Sequence, residues 1–300
     1  MTGKTFITAG FVLAGMTCLC GCSDKGRADT HGKSKPAVPI MPVAVAEPVA
    51  VATAVVGAPV AITPAAVSLM LDATAVPNEN RTPAHGDAVA AVVVSQGPKL
   101  DKLLDDPIWQ QALVFKLEPL ATYGTNVPST TARMIFDKKR MYVAFDCDDP
   151  DTASIKKECK ERDSSVWKDD SVEVFISTKP DAGYKHIMIS AGNVIADESA
   201  GLWMRDPSWN ANICSAVIIE TNQRWRVAMA IPLRDLDVAV GTNQIWRFNL
   251  NRTQPGRNGQ HMVEYSWVPL FGDDYHDSAL FTALTGINIL PDNVGAMPAP

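Results

Sequence analysis

Thr131-Ala-Arg-Met-Ile-Phe136, Asp137-Lys-Lys-Arg140 and Met141-Tyr-Val-Ala-Phe-Asp-Cys147 follow one another without a break. The first and last of these alternate apolar and other residues with a period of two, the spacing of a half-buried strand, and the polar tetrapeptide between them is a turn. The stretch therefore predicts a β-hairpin. Working outward, the same period recurs in residues 172–177, 184–190, 215–220, 224–231, 245–251, 264–268 and 280–284. Helical periodicity is nearly absent. Only residues 107–113, opening on a proline whose missing N–H is harmless at a first helical position, read as a short helix. Many short strands separated by Asp, Gly, Asn and Pro turns predict an all-β fold, an antiparallel β-sandwich of jelly-roll or immunoglobulin-like kind spanning residues 96–290.

The rest of the 300 residues differ in composition. All seven Trp and all five Tyr lie after residue 96. Residues 36–77 contain 12 Ala, 10 Val and 7 Pro and no aromatic; spaced prolines break a helix ladder and favour extended backbone, so residues 22–95 read as a disordered tether. At the N-terminus, Lys4 precedes the apolar run Phe6 to Leu19, which is too short to cross a bilayer and has the size of a signal-peptide core. It closes in Leu19-Cys20-Gly21-Cys22, which resembles a lipobox. That resemblance implies a lipoprotein signal peptide over residues 1–21, lipidation at Cys22, export, and a membrane partner reached through the lipid anchor. Ser23 after the cysteine points to the outer membrane of the cell envelope. A rival is a membrane span over the uncharged residues 48–71, which Pro59 and Pro64 interrupt. Residues 291–300 read as a flexible tail. The formal charge of −6 and pI near 5.4 argue against nucleic acid as a partner.

Four stretches then stand out in order: Leu100-Asp-Lys-Leu-Leu-Asp-Asp-Pro-Ile-Trp109, Trp167-Lys-Asp-Asp-Ser-Val-Glu-Val-Phe175, Ala230-Ile-Pro-Leu233 and Trp246-Arg-Phe-Asn-Leu-Asn-Arg252. Their order and spacing resemble carbohydrate-binding module family 9, the Trp-x-Asp-Asp-x-Val-Glu-Val-Phe stretch being the most specific. The resemblance implies a non-catalytic β-sandwich that holds a sugar between two aromatic walls, with Trp167 as one wall and Tyr275 as the other, and with calcium in some members. Tyr275 replaces the Trp of sugar-binding members. His186, Asn249 and Asn251 fall on the family's polar positions.

The residues can be weighed without the family. Sugars need a flat aromatic for their C–H faces and convergent polar groups for their hydroxyls. Alternation sends Val172 and Val174 to the core and turns Glu173 outward, toward solvent or a ligand. Trp167, in the loop before that strand, is either a stacking platform or a cap over the sandwich edge; Trp203 and Trp209 pose the same choice. Asp146, Asp148, Asp149 and Asp151 form an oxygen-rich turn suited to calcium or simply to water. Asp169, Asp170 and Glu173 imitate a glycosidase pair, but adjacent loop aspartates diverge and fix no carboxylate separation, so no catalytic constellation is seen. Cys147 is in phase with the core, while Cys159 and Cys214 are free or paired. Two other functions remain open on the same sandwich: a haem-binding electron-transfer domain using His186, Met188, His261 or Met262, and an adhesion module without a small ligand.

Overall fold

The structure is a computed structural model and describes residues 67–69, 82–120, 127–201, 204–268 and 276–291. Residues 1–66, and with them the expected signal peptide, Cys22 and most of the tether, lie outside the described residues. So do Trp203, Tyr275 and residues 292–300.

The hairpin forms as its sequence dictates. β4 (Thr130–Phe136) and β5 (Arg140–Asp148) pair antiparallel with Phe136 opposite Met141. The Asp137 carboxylate accepts the N–H groups of Lys139 and Arg140, which closes the turn. Around this hairpin grow β3 (Leu113–Pro119), β10 (Cys214–Glu220) and β11 (Arg224–Pro232), giving one layer in the order β10-β11-β5-β4-β3. The second layer is built on the 14-residue β12 (Gly241–Gln254), which pairs on one side with β6 (Ser171–Ser177) and on the other with β13 (Val263–Ser266) and β14 (Thr282–Pro291). β7 (Tyr184–Ser190), β8 (Ile195–Ala200) and the short β9 (Arg205–Asp206) extend it beyond β6. A two-residue pairing of β13 with β3 joins the layers at one edge.

The core lies between the layers. Val172, Val174 and Ile176 of β6, Ile187 and Ile189 of β7, and Trp246, Phe248 and Leu250 of β12 meet Phe115, Met134, Phe136, Val143, Phe145, Trp225 and Val227 from the other sheet. Fully burying such a side chain is worth about 1.5–3 kcal/mol, so this interior carries the fold. Cys147 is in it, as its phase predicts, and burial pushes its thiol pKa up to about 12. The outer face of the hairpin layer is paved with Ala144, Ala216, Ala228 and Ala230, small enough to let residues 100–111 lie flat, with Leu103 and Trp109 against them.

Two expectations need correction, and one open alternative is decided. The helix over residues 107–113 is only a 3₁₀ turn, Pro107–Gln111, capped by the Asp106 carboxylate on the Ile108 N–H; the alternating Leu113, Phe115 and Leu117 then draw the chain into β3. The tether does not reach residue 95. β1 (Val67–Leu69) pairs antiparallel with the end of β14, β2 (Val89–Ala90) pairs with it in parallel, and Val93 bridges Phe136. Val89 is buried in the core, because the valine-rich patch completes an otherwise bare edge. Finally, Cys159 packs beside Val166 and Met188, whereas Cys214 lies under residues 100–111 on the other layer, so the two do not bond to each other.

Candidate functional site

Glu173 does turn away from the core, but not into water. It is 1% exposed. On this outer face Glu173 stands between Met188 of β7 and Asn251 of β12, and Phe175 stands between His186 and Asn249, with Glu198 of β8 beyond His186. Val268, just after β13, and His276 and Phe281, ahead of β14, lie against them. The Val268 N–H donates to Asn249 Oδ1, and the rings of His276 and Phe281 lie 5.4 and 5.6 Å from Phe175. Val166 closes the other end on Met188 and Ala196. Alternation shows which way a side chain points; it does not show what later covers it.

A buried polar group must then be satisfied from within. His186 stacks on Phe175 at 4.1 Å, its Nε2 is 2.7 Å from Glu173 Oε2, and its Nδ1 is 3.2 Å from Glu198 Oε1. Ionised carboxylates only accept, so two of them across one ring require both ring nitrogens to carry hydrogen. Burial works to lower the His186 pKa, but the bonds to Glu173 and Glu198 outweigh it and the net shift is upward. The Glu198 pKa is lowered by its bond to His186, and Arg205 lies 3.3 Å from Glu198. Thr253 Oγ1 donates to the other Glu173 oxygen at 3.1 Å. His276 joins the edge of this cluster through Tyr184, whose hydroxyl is 2.9 Å from its Nδ1.

Asn249 and Asn251 are also buried. Asn249 Nδ2 donates to Ser266 Oγ, and Asn251 Oδ1 accepts from the same hydroxyl at 3.2 Å, so both hold the chain leaving β13 in place. His186 engages both ring nitrogens with carboxylates, which leaves neither for haem iron. Its neighbour Met188 is packed under Val166, while His261 and Met262 belong to the loop between β12 and β13, where His261 lines a cleft with Asp149 and Arg257.

Trp167 is the exception to burial. It is 51% exposed, whereas Trp109, Trp225, Trp246 and Trp267 are almost fully enclosed. It sits in the 3₁₀ turn Val166–Lys168, and the two aspartates that follow fix that turn. Asp169 accepts the N–H groups of Glu158 and Cys159 on its two oxygens, both at 2.9 Å. Asp170 accepts the Lys156 N–H at 2.8 Å, and its own N–H returns to the Lys156 carbonyl. Asp169 and Asp170 are clamps, not an acid and a nucleophile. Burial pushes the Asp170 pKa up to about 6, against the opposing pull of the Lys156 N–H and of Arg257 and Arg252. Trp209 is half-buried against the core with the Lys185 ammonium 4.8 Å from its ring centre, so it caps an edge.

The four aspartates of the expected calcium turn do not share a cage. Asp146 pairs with Arg224, Asp148 accepts from Ser129 Oγ, Asp149 is held by Arg257, and Asp151 accepts from Asn258 Nδ2 at 2.7 Å. Two arginines and two neutral donors thus hold at least one oxygen of each carboxylate, and each of the four is drawn to a different partner. Among the described residues no group of three or more His, Cys, Asp or Glu side chains is placed to hold a metal.

No curated protein matches the chain significantly. Among solved structures, a candidate carbohydrate-binding protein from Bacteroides uniformis shares the fold at a TM-score of 0.55 and 15% identity, over 66% of this chain and 98% of its own. A carbohydrate binding module family 9 from Caldicellulosiruptor kristjanssonii, solved with cellotriose, aligns at a TM-score of 0.50 and 14% identity, over 71% of this chain and all of its own. The profile of the carbohydrate family 9 binding domain-like family matches residues 100–287, which contain the Asp106-Pro107 cap, the Trp167 turn, the Glu173–His186 pair and the covered face. That match takes in more than half of the sequence, and the chain belongs to this family.

Proposed function

We propose that the protein is a non-catalytic carbohydrate-binding module in which Trp167 stacks on a sugar ring at the rim of the outer face. The observation that carries this reading is the exposure of Trp167 on a turn held by buried Val166, Asp169 and Asp170. A large aromatic left half in water on a rigid support contributes little to the core and has a free face for C–H stacking. The cellotriose bound by the Caldicellulosiruptor module supports a sugar as the ligand class. Tyr275, next to His276, is the proposed second wall. Glu173, His186, Asn249 and Asn251 act here by holding the rim in shape.

The same proposal places the module outside the cell. Cys22 carries the lipid, the Ala/Val/Pro-rich residues that follow act as the tether, and the outer membrane is the site of attachment, where sugar capture serves polysaccharide breakdown. Two experiments test the two halves. In calorimetric titration with glycans selected from an array, Trp167→Ala is expected to lose about 2 kcal/mol, roughly thirtyfold in affinity, while melting stays put; a lowered melting temperature with unchanged affinity overturns the stacking role. Cys22→Ser is expected to release the protein from the membrane fraction, and its retention there overturns the anchor.

A further inference from the structure

A cleft of about 400 Å³ opens at one end of the sandwich, lined by residues 127–128 ahead of β4, residues 149–151 after β5, Gln254 and Val263, and the loop between them. It belongs to a different surface from Trp167. Arg252 lies opposite Val172, whereas Glu173 lies opposite Asn251, so Arg252 and Gln254 point inward where Glu173 points outward.

We propose that this cleft is a second carbohydrate site, shaped for a neutral, hydroxyl-rich ring. Its polar wall is built before any ligand arrives. Arg257, 6% exposed, donates to the buried Asp149 carboxylate and through Nη1 to the Asp151 carbonyl at 3.1 Å. Asn258 Nδ2 reaches both Asp151 Oδ2 and Ser154 Oγ, pinning the loop to the turn after β5. The loop is tight: a Cβ on Gly256 would fall 2.7 Å from the Gln260 carbonyl, and Asn258 has the left-handed φ of 52°. Burying an ion pair at the end of a sandwich costs desolvation that an apolar pair would avoid; here that cost goes into a fixed polar wall, in which Asp149 also takes the Asp151 N–H and Arg257 stands 3.9 Å from Asp170.

The chemistry of the wall selects the ligand. Asp149 and Asp151 outnumber Arg257 among the lining carboxylates and guanidinium, and Arg257 is already paired with Asp149, so the wall favours a neutral ligand over an anion. What remains is the Asn258 and Asp151 oxygens that those bonds do not use, together with the Gln260 amide, in a cleft that Val127, Pro128 and Val263 also line. Hydroxyls donate and accept at once and suit such a mixed edge, while a sugar's C–H face suits the apolar side. The volume lies within the roughly 300–1,000 Å³ of ligand pockets and has room for one or two rings.

The test is an NMR titration of the full chain with glucose, galactose, mannose and xylose in turn, followed at the Asn258 and Gln260 amides. At least one sugar is expected to shift both amides saturably, and Trp167→Ala is expected to leave that response intact, whatever becomes of the rim. Asn258→Gly keeps the left-handed backbone and removes the amide, so it should weaken the response about tenfold. Val263→Trp should block it by filling the cleft. The proposal is overturned if none of the four sugars shifts these amides, if the response disappears in Trp167→Ala, or if both cleft variants respond like the parent.

Discussion

Along β6, Val172, Val174 and Ile176 pack into the interior between the two layers, while Ser171, Glu173 and Phe175 on the opposite side are equally closed to water. The first face is held by removal of apolar surface from water and tolerates imperfect geometry. The second depends on each polar atom keeping a partner, because an orphaned buried carboxylate or imidazolium cannot turn back to solvent. Burial alone therefore says little about what a substitution will do. The kind of partner decides.

The largest effect is expected on the inner face. Phe248 is enclosed at the centre of β12 and meets Phe115 edge-on at a centroid distance of 5.3 Å. Phe248→Ala should cost about 3–5 kcal/mol in denaturant unfolding through lost contacts and a residual cavity, with no change in how stability depends on pH. A cost smaller than that of the outer-face change below would mean the two faces contribute in the reverse order.

Glu173→Gln comes next. An outward, solvated carboxylate would give it up without a change in melting, but here the substitution removes the charge facing a buried imidazolium while keeping the shape. About 2 kcal/mol should be lost, read in the same unfolding measurement.

Much of this architecture was legible in the residues and some was not, for identifiable reasons. Alternation located the β4–β5 hairpin and the strands around Val174, Ile187 and Val227, because apolar residues recur every second position wherever one face meets the core. β8 carries no such alternation: Ile195-Ala-Asp-Glu-Ser-Ala200 is acidic and small, and its strand form rests on pairing with β7 and on Glu198 meeting His186. β12 was expected to stop at residue 251 but runs to Gln254, since Arg252 is kept inside by Thr130 Oγ1 and the Asp148 carbonyl. Trp167 was visible as a loop aromatic, but its exposure depends on the Asp169 and Asp170 clamps, whose partners lie ten or more residues away. No local pattern states such a partner.

The outer face should also be the part of the molecule that senses pH. The His186 proton is held more tightly folded than unfolded, so its contribution is complete below the ordinary value of 6.5 and is lost as pH rises through the higher folded value. Melting temperature should therefore fall across that alkaline window in the parent, and less so in Glu173→Gln. Asp170 acts elsewhere on the scale: its folded pKa of about 6 against 3.8 lowers stability as pH rises between those two values and not beyond. A parent protein whose melting temperature is flat above pH 6.5 would show that the folded state holds no extra proton at His186, and would remove the imidazolium from this face.

The smallest effect belongs to the turn once expected to bind calcium, and it sharpens the contrast from the solvent side. Asp146 and Arg224 meet diagonally across β5 and β11 at 3.1 Å, but the arginine is more than a third exposed, so water and salt screen the pair. Pairs of this kind contribute about 0–1 kcal/mol. Asp146→Asn should accordingly move the melting temperature by little, and less in high salt than in low. Added calcium should not raise the melting temperature of parent or variant, because the carboxylates of Asp148, Asp149 and Asp151 are already taken by Ser129, Arg257 and Asn258. A calcium-dependent rise that Asp146→Asn abolishes would show that the cation can outcompete Arg224, and would return this turn to the set of binding sites.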